Sequence, residues 1–213
     1  MNEADMGGLR ERWSALMDSF EVDAHLADKA FEDLAARYGE NGRHYHTLAH
    51  IENVLETADA LRPFAQDFPA VELAAWFHDI IYDPRAADNE AQSADYAARV
   101  LGTMGLPAAT IAKVERLIRA TTHAYPCPDD PDCQVLLDAD LATFGSNWPL
   151  QEEIAAAIRQ EFSFVPEDTY RVGRRQVLKQ FLQRDRIFYN PKMFAQFEET
   201  ARQNIAQAIA ALD

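Results

Sequence analysis

Apolar residues recur at helical spacing through almost the whole chain. Leu9, Trp13, Leu16, Met17 and Phe20 share one face of a helix expected over 8–20. Asp23 suits the N-cap of a second helix that stops at Gly39. Thr47 opens a third, running to about Arg62 ahead of Pro63. Residues 70–82 hold the nearly unbroken apolar run VELAAWFHDIIY; its length and its Ala, Leu and Glu favour a buried helix over a strand. Further helices are predicted over 90–104, 107–122, 132–144, 149–162 and 168–184, and over 191–212 behind an Asn190-Pro191 cap. The stretch AYPCPDDPD, with three prolines, reads as a loop. No alternating strand pattern, repeat or low-complexity segment interrupts this, so the fold class is all-α.

Helical phase then picks out polar residues that a core would not otherwise hold. His78 and Asp79 lie within the apolar run 70–82. A buried carboxylate costs several kcal/mol without a partner, and a divalent cation is a partner that both residues can reach. On the helix from 47 to 62, His50 borders the apolar arc of Leu48, Ile51, Val54, Leu55, Ala58 and Leu61, while His46 lies a turn earlier toward the polar side. In LLDADL, Asp140 shares a face with Cys133, Leu136, Leu137 and Phe144, and Asp138 falls on the opposite side. The inward carboxylate is therefore expected to be Asp140. Two imidazoles and two carboxylates form a mixed N/O donor set, suited to Mn, Fe, Co, Ni, Zn or Mg.

Composition narrows the classes. A net charge of −15, from 35 acidic and 20 basic residues, argues against a broad nucleic-acid surface. No run approaches a membrane span, and the N-terminus lacks the apolar core of a signal peptide. The expected location is cytoplasmic, where Cys127 and Cys133 should be free thiols. Among these acidic surroundings Arg171, Arg174, Arg175 and Lys179 form a basic run, read as a helical face that is solvated or paired with local carboxylates.

The order His50, then His78-Asp79, then Asp140 in a D-x-D-L context resembles the HD superfamily of metal-dependent phosphohydrolases. The stretches RHYHTLAHIENVL, AAWFHDIIYDP and LLDADLATFG are similar to a branch of small predicted HD hydrolases. The resemblance covers about 40–185. Helices over 1–39 and 186–213 would complete a single domain, an HD-domain-like multi-helix bundle with N- and C-terminal extensions.

The resemblance implies one divalent metal ion held by His50, His78, Asp79 and Asp140. It also implies hydrolysis of a nucleotide or other small phosphorylated metabolite. Asp83 and His123 are then candidates for moving protons, and Arg43 and His46 for contacting a phosphate. Arg159 and Glu161 recur in this branch, with no role following from the sequence. Leu141 stands where many members carry Lys or Arg. His123 is the single histidine between the His-Asp pair and Asp140, which favours one metal over two. Two other readings stay open: a dinuclear-iron HD oxygenase, and a non-catalytic, metal-stabilised domain that binds a nucleotide or protein. A homo-oligomer also stays open.

Overall fold

The computed structural model describes residues 3–124, 127 and 129–212. Among these residues it is all-helical. The helices are α1 (Glu3–Ser19), α2 (Ala24–Tyr38), α3 (Leu48–Leu61), α4 (Phe68–Phe77), α5 (Asn89–Thr103), α6 (Ala108–Ala120), α7 (Pro131–Asp140), α8 (Trp148–Glu161), α9 (Glu167–Leu182) and α10 (Pro191–Ala211). Short 3-10 turns follow α3 at Arg62–Phe64 and α7 at Ala142–Gly145. None of the helices is long and apolar enough to cross a membrane.

The most apolar helix, α4, forms the centre. All its residues from Phe68 to Phe77 except Pro69 are buried, and α3, α5, α6 and α7 pack around it. The pair α1 and α2 closes one side: Trp13 meets Trp76 edge to face at 5.5 Å, and Phe31 meets Trp76 at 6.2 Å. Such aromatic contacts add about 1 kcal/mol each to their area burial. On the opposite side α10 packs against α9 and the turn after α7.

Several caps sit where the residues suggest. Asp23 accepts from the His25 and Leu26 amides, and Asn190 accepts from the Lys192 amide ahead of Pro191.

The structure corrects the expected run of 70–82. The helix stops at Phe77, His78 is its C-cap, and Asp79 lies in the turn beyond. The last carbonyls of a helix have no partners within it, and here side chains supply them. His78 Nδ1 is 2.9 Å from the Ala75 carbonyl, and Tyr38 Oη donates to Trp76 O at 2.9 Å. Arg43 donates to the Asp79 and Ile80 carbonyls at 2.7 and 2.8 Å. Likewise the helix expected over 132–144 ends at Asp140, and the 3-10 turn carries the rest.

The free thiols expected from the location are not found, because Cys127 and Cys133 are joined in a disulfide. This bond ties the loop after His123 to the first turn of α7. Tyr125, Pro126 and Pro128 of that loop lie outside the described residues.

Candidate metal centre

Three helix ends converge. His50 comes from the first turn of α3, His78 from the C-cap of α4, and Asp140 is the last residue of α7. The His50 and His78 Nε2 atoms are 3.3 Å apart, and Asp140 Oδ1 lies 3.3 and 3.5 Å from them. These three residues could hold a metal ion. Asp79 adds a carboxylate oxygen at 3.5 Å from His50 Nε2 and 3.2 Å from His78 Nε2.

The spacing can be tested against coordination geometry. Bonds of about 2.1 Å place donors about 3.0 Å apart at an octahedral ion and about 3.4 Å apart at a tetrahedral one. The observed 3.2–3.5 Å brackets the tetrahedral value and exceeds the octahedral one. The His78 tautomer also fits: Nδ1–H donates to Ala75 O, which leaves the Nε2 lone pair facing the cluster. α4 and α7 both end here, and helix C-termini carry partial negative charge that favours a cation.

Electrostatics point the same way. Burial disfavours charge on both imidazoles, yet the Asp140 and Asp79 carboxylates overcome it and raise both above the usual histidine value. Burial alone would raise the carboxyls of Asp79 and Asp140. His78 and His46 beside Asp79, and His123, His50 and His78 beside Asp140, instead hold both well below the usual range. The four groups together thus favour positive charge between the two carboxylates, as a group that could hold a cation does.

Around the cluster the structure sorts the other candidates. His123 Nε2 is 2.8 Å from Asp140 Oδ2, so it orients that carboxylate. It does so from a left-handed backbone conformation, φ 54°, and Arg184 holds its carbonyl. Its Nδ1 is buried without a hydrogen-bond partner, as is His50 Nδ1.

His46 stacks on Tyr82 at 4.1 Å and lies 5.9 Å from the His50 ring, edge to face. Its Nδ1 is 2.7 Å from Glu161 Oε2. Because a carboxylate only accepts, Nδ1 must donate, and in the neutral ring Nε2 is then the acceptor.

Two other candidates have different surroundings. The side chain of Arg43, a candidate for contacting phosphate, is buried, with its guanidinium donating to the carbonyls of His46, Asp79 and Ile80. The reason is local: the chain turns out of α4 there and leaves carbonyls that only a long donor can reach. Asp83 was a candidate base; its carboxylate is exposed and accepts from the Arg85 amide, which makes it a turn cap. No contact between Asp83 and the cluster is present.

Asp138 also differs from expectation. It is fully buried and accepts from the Tyr189 and Asn190 amides at 2.8 and 2.6 Å. Burial pushes its carboxyl up to about 7, those two amides only partly opposing. Helical phase separates it correctly from the Asp140 face. The opposite face of α7 is covered by the segment before α10, so it has no access to water.

Glu161 was singled out without a role. Its carboxylate has no solvent exposure and collects five donors. The amides of His44, Tyr45 and His46 reach Oε1 at 2.8, 2.8 and 3.0 Å, and His46 Nδ1 and Tyr82 Oη reach Oε2 at 2.7 and 2.8 Å. Burial would raise this carboxyl, but the hydrogen bonds from His46 and the amides bring it down to about 2. Tyr45, its ring 4.8 Å from that of His50, was missed altogether. Neither residue carries a local sequence signal, since Glu161 meets its partners across more than 110 positions.

No protein-family model, curated protein or solved structure compared with the chain matches it.

Proposed function

We propose that this protein is a divalent-metal-dependent hydrolase of small phosphorylated substrates, such as nucleotides. The observation that carries this reading is the convergence of His50 Nε2, His78 Nε2 and Asp140 Oδ1 within 3.3–3.5 Å, with Asp79 Oδ2 beside them. The two carboxylates keep 18% and 16% of their side-chain surface in contact with solvent. A structural metal site is closed, whereas a catalytic one keeps an open position. That difference favours catalysis over a purely fold-stabilising ion.

His50, His78, Asp79 and Asp140 would hold the ion, which would polarise a phosphoryl oxygen and make a water nucleophile available near neutral pH. The chain's own groups set the stage for that attack. Glu161 fixes the His46 ring so that its Nε2 lone pair is free to accept a proton or a hydrogen bond. His123 holds Asp140 in one orientation. Tyr45 and Tyr82 pack their rings against His50 and His46.

The test is metal analysis of protein purified without added metal, followed by assay against phosphomonoesters and nucleotides with Mn, Co, Ni and Mg. Stoichiometric metal with phosphate release that disappears in His78→Ala supports the reading. Protein that takes up none of these metals refutes it, and so does metal-loaded protein that turns over no phosphorylated compound.

A further inference from the structure

The basic run on α9 does not behave as one solvated face. Arg171 pairs with Glu167 at 3.7 Å, and Arg175 donates to Leu212 O at 2.6 Å. Among the described residues Arg174 has no ion pair, hydrogen bond or cation–π contact; every other arginine has at least one.

Arg174 is also not on the outside of its helix. Tyr170 and Leu178, four residues to either side, are both buried at 9% and 2% exposure. Residues four apart on a helix share a face, so Arg174 sits on the inward stripe between them. The ends of that stripe locate it. Tyr170 packs 6.0 Å from Phe162, the residue after Glu161, which bonds to His46. Phe181 packs 5.9 Å from His123, which bonds to Asp140. With 1.5 Å of rise per residue, Arg174 lies about 6 Å from the first anchor and about 10 Å from the second. Along α9 it therefore lies between a contact on the His46 side of the cluster and one on the His123 side. Its charge is felt by Tyr45 and Tyr82 as well as Tyr170, and burial pulls its guanidinium below the usual arginine range.

Charge balance gives this position a meaning. Asp79 and Asp140 would neutralise a divalent ion, so an incoming phosphoryl dianion meets no net positive charge at the metal. The protein as a whole carries −15. Arg43 is committed to backbone carbonyls. Arg174 is half-buried, its guanidinium donors have no paired carboxylate, and their planar fork matches tetrahedral oxyanions well.

We infer that Arg174 is the anion-binding residue of a subsite over the His50–His78–Asp140 cluster, and that it takes the phosphoryl oxygens of the substrate. The ligand class rests on the hydrolase reading above, while the anion site itself does not.

The test uses inorganic phosphate as the probe. It is titrated calorimetrically into wild-type, Arg174→Met and Arg174→Lys protein, loaded with Mn2+ and after metal stripping, with metal content and thermal midpoint measured for each. The Met variant should bind phosphate at least about tenfold more weakly and keep its metal. The Lys variant should fall between, since an ammonium supplies charge without a two-pronged contact. In phosphate-free buffer the Met variant should melt no lower than wild type, because an uncompensated charge has been removed.

Wild type that fails to bind phosphate in both metal states overturns the inference, as does a Met variant that binds it as tightly as wild type. Lower melting with unchanged phosphate affinity would make Arg174 a packing residue. Protein that holds no metal yet binds phosphate through Arg174 would sink the hydrolase reading and leave the anion site standing.

Discussion

Replacing Glu161 with Gln changes few atoms and should have a large, pH-dependent effect. In the native protein its carboxylate accepts three backbone amides on one oxygen and His46 and Tyr82 on the other. A Gln carbonyl can keep the three amides. Its NH2 group then faces His46 Nδ1 and Tyr82 Oη, which must both become acceptors.

The magnitude follows from linkage. The Glu161 carboxyl falls from the usual 4.5 to about 2 on folding. At about 1.4 kcal/mol per pH unit, this contributes about 3 kcal/mol. A depressed carboxyl stabilises the fold above its unfolded value near 4.5, and that stability disappears as pH falls toward 2. Urea denaturation followed by tryptophan fluorescence should therefore show Glu161→Gln less stable than wild type by about 3 kcal/mol at pH 7. The gap should shrink steadily between pH 4.5 and 2.5, because protonated Glu and Gln become alike; titrating groups that do not touch position 161 cancel in the difference. Nitrogen-15 spectra should also show the His46 proton moving from Nδ1 to Nε2. A gap under about 1 kcal/mol at pH 7, or one that does not narrow with acid, would refute the argument.

Three further outcomes can be checked. Asp140→Ala should lose metal by mass spectrometry, whereas Asp138→Ala should keep it and lose about 2–4 kcal/mol in denaturation, since the Tyr189 and Asn190 amides are left unpaired. His50→Ala should lose metal while His46→Ala retains it, because His46 Nδ1 is bound to Glu161 and its ring stacks on Tyr82; the reverse pattern would overturn the ligand assignment. Gly145→Ala should lower stability by about 1–3 kcal/mol, as an added Cβ would lie 2.8 Å from Cβ and Cδ1 of Phe197, a residue of α10 where that helix packs on this turn.

The helices and the core faces follow from the sequence alone, because 3.6-residue periodicity and cap chemistry are local. Trp13, Ile51, Val54 and Leu55 are buried as their spacing requires, and Asp23 and Asn190 cap the helices they precede. His46 precedes α3 altogether, and phase likewise separates Asp140 from Asp138, since a face is a property of one helix. What lies against that face is not. Asp138 is buried because the segment before α10 folds over it, and Asp83 stays in solvent because the turn after α4 carries it away from the cluster. Arg43 is drawn inward by carbonyls that exist only where α4 ends. Glu161 and Arg174 acquire their surroundings from chain more than 90 residues distant. Whether a charged side chain meets a counter-charge, a carbonyl or an empty pocket depends on packing between helices, and only the tertiary structure decides that.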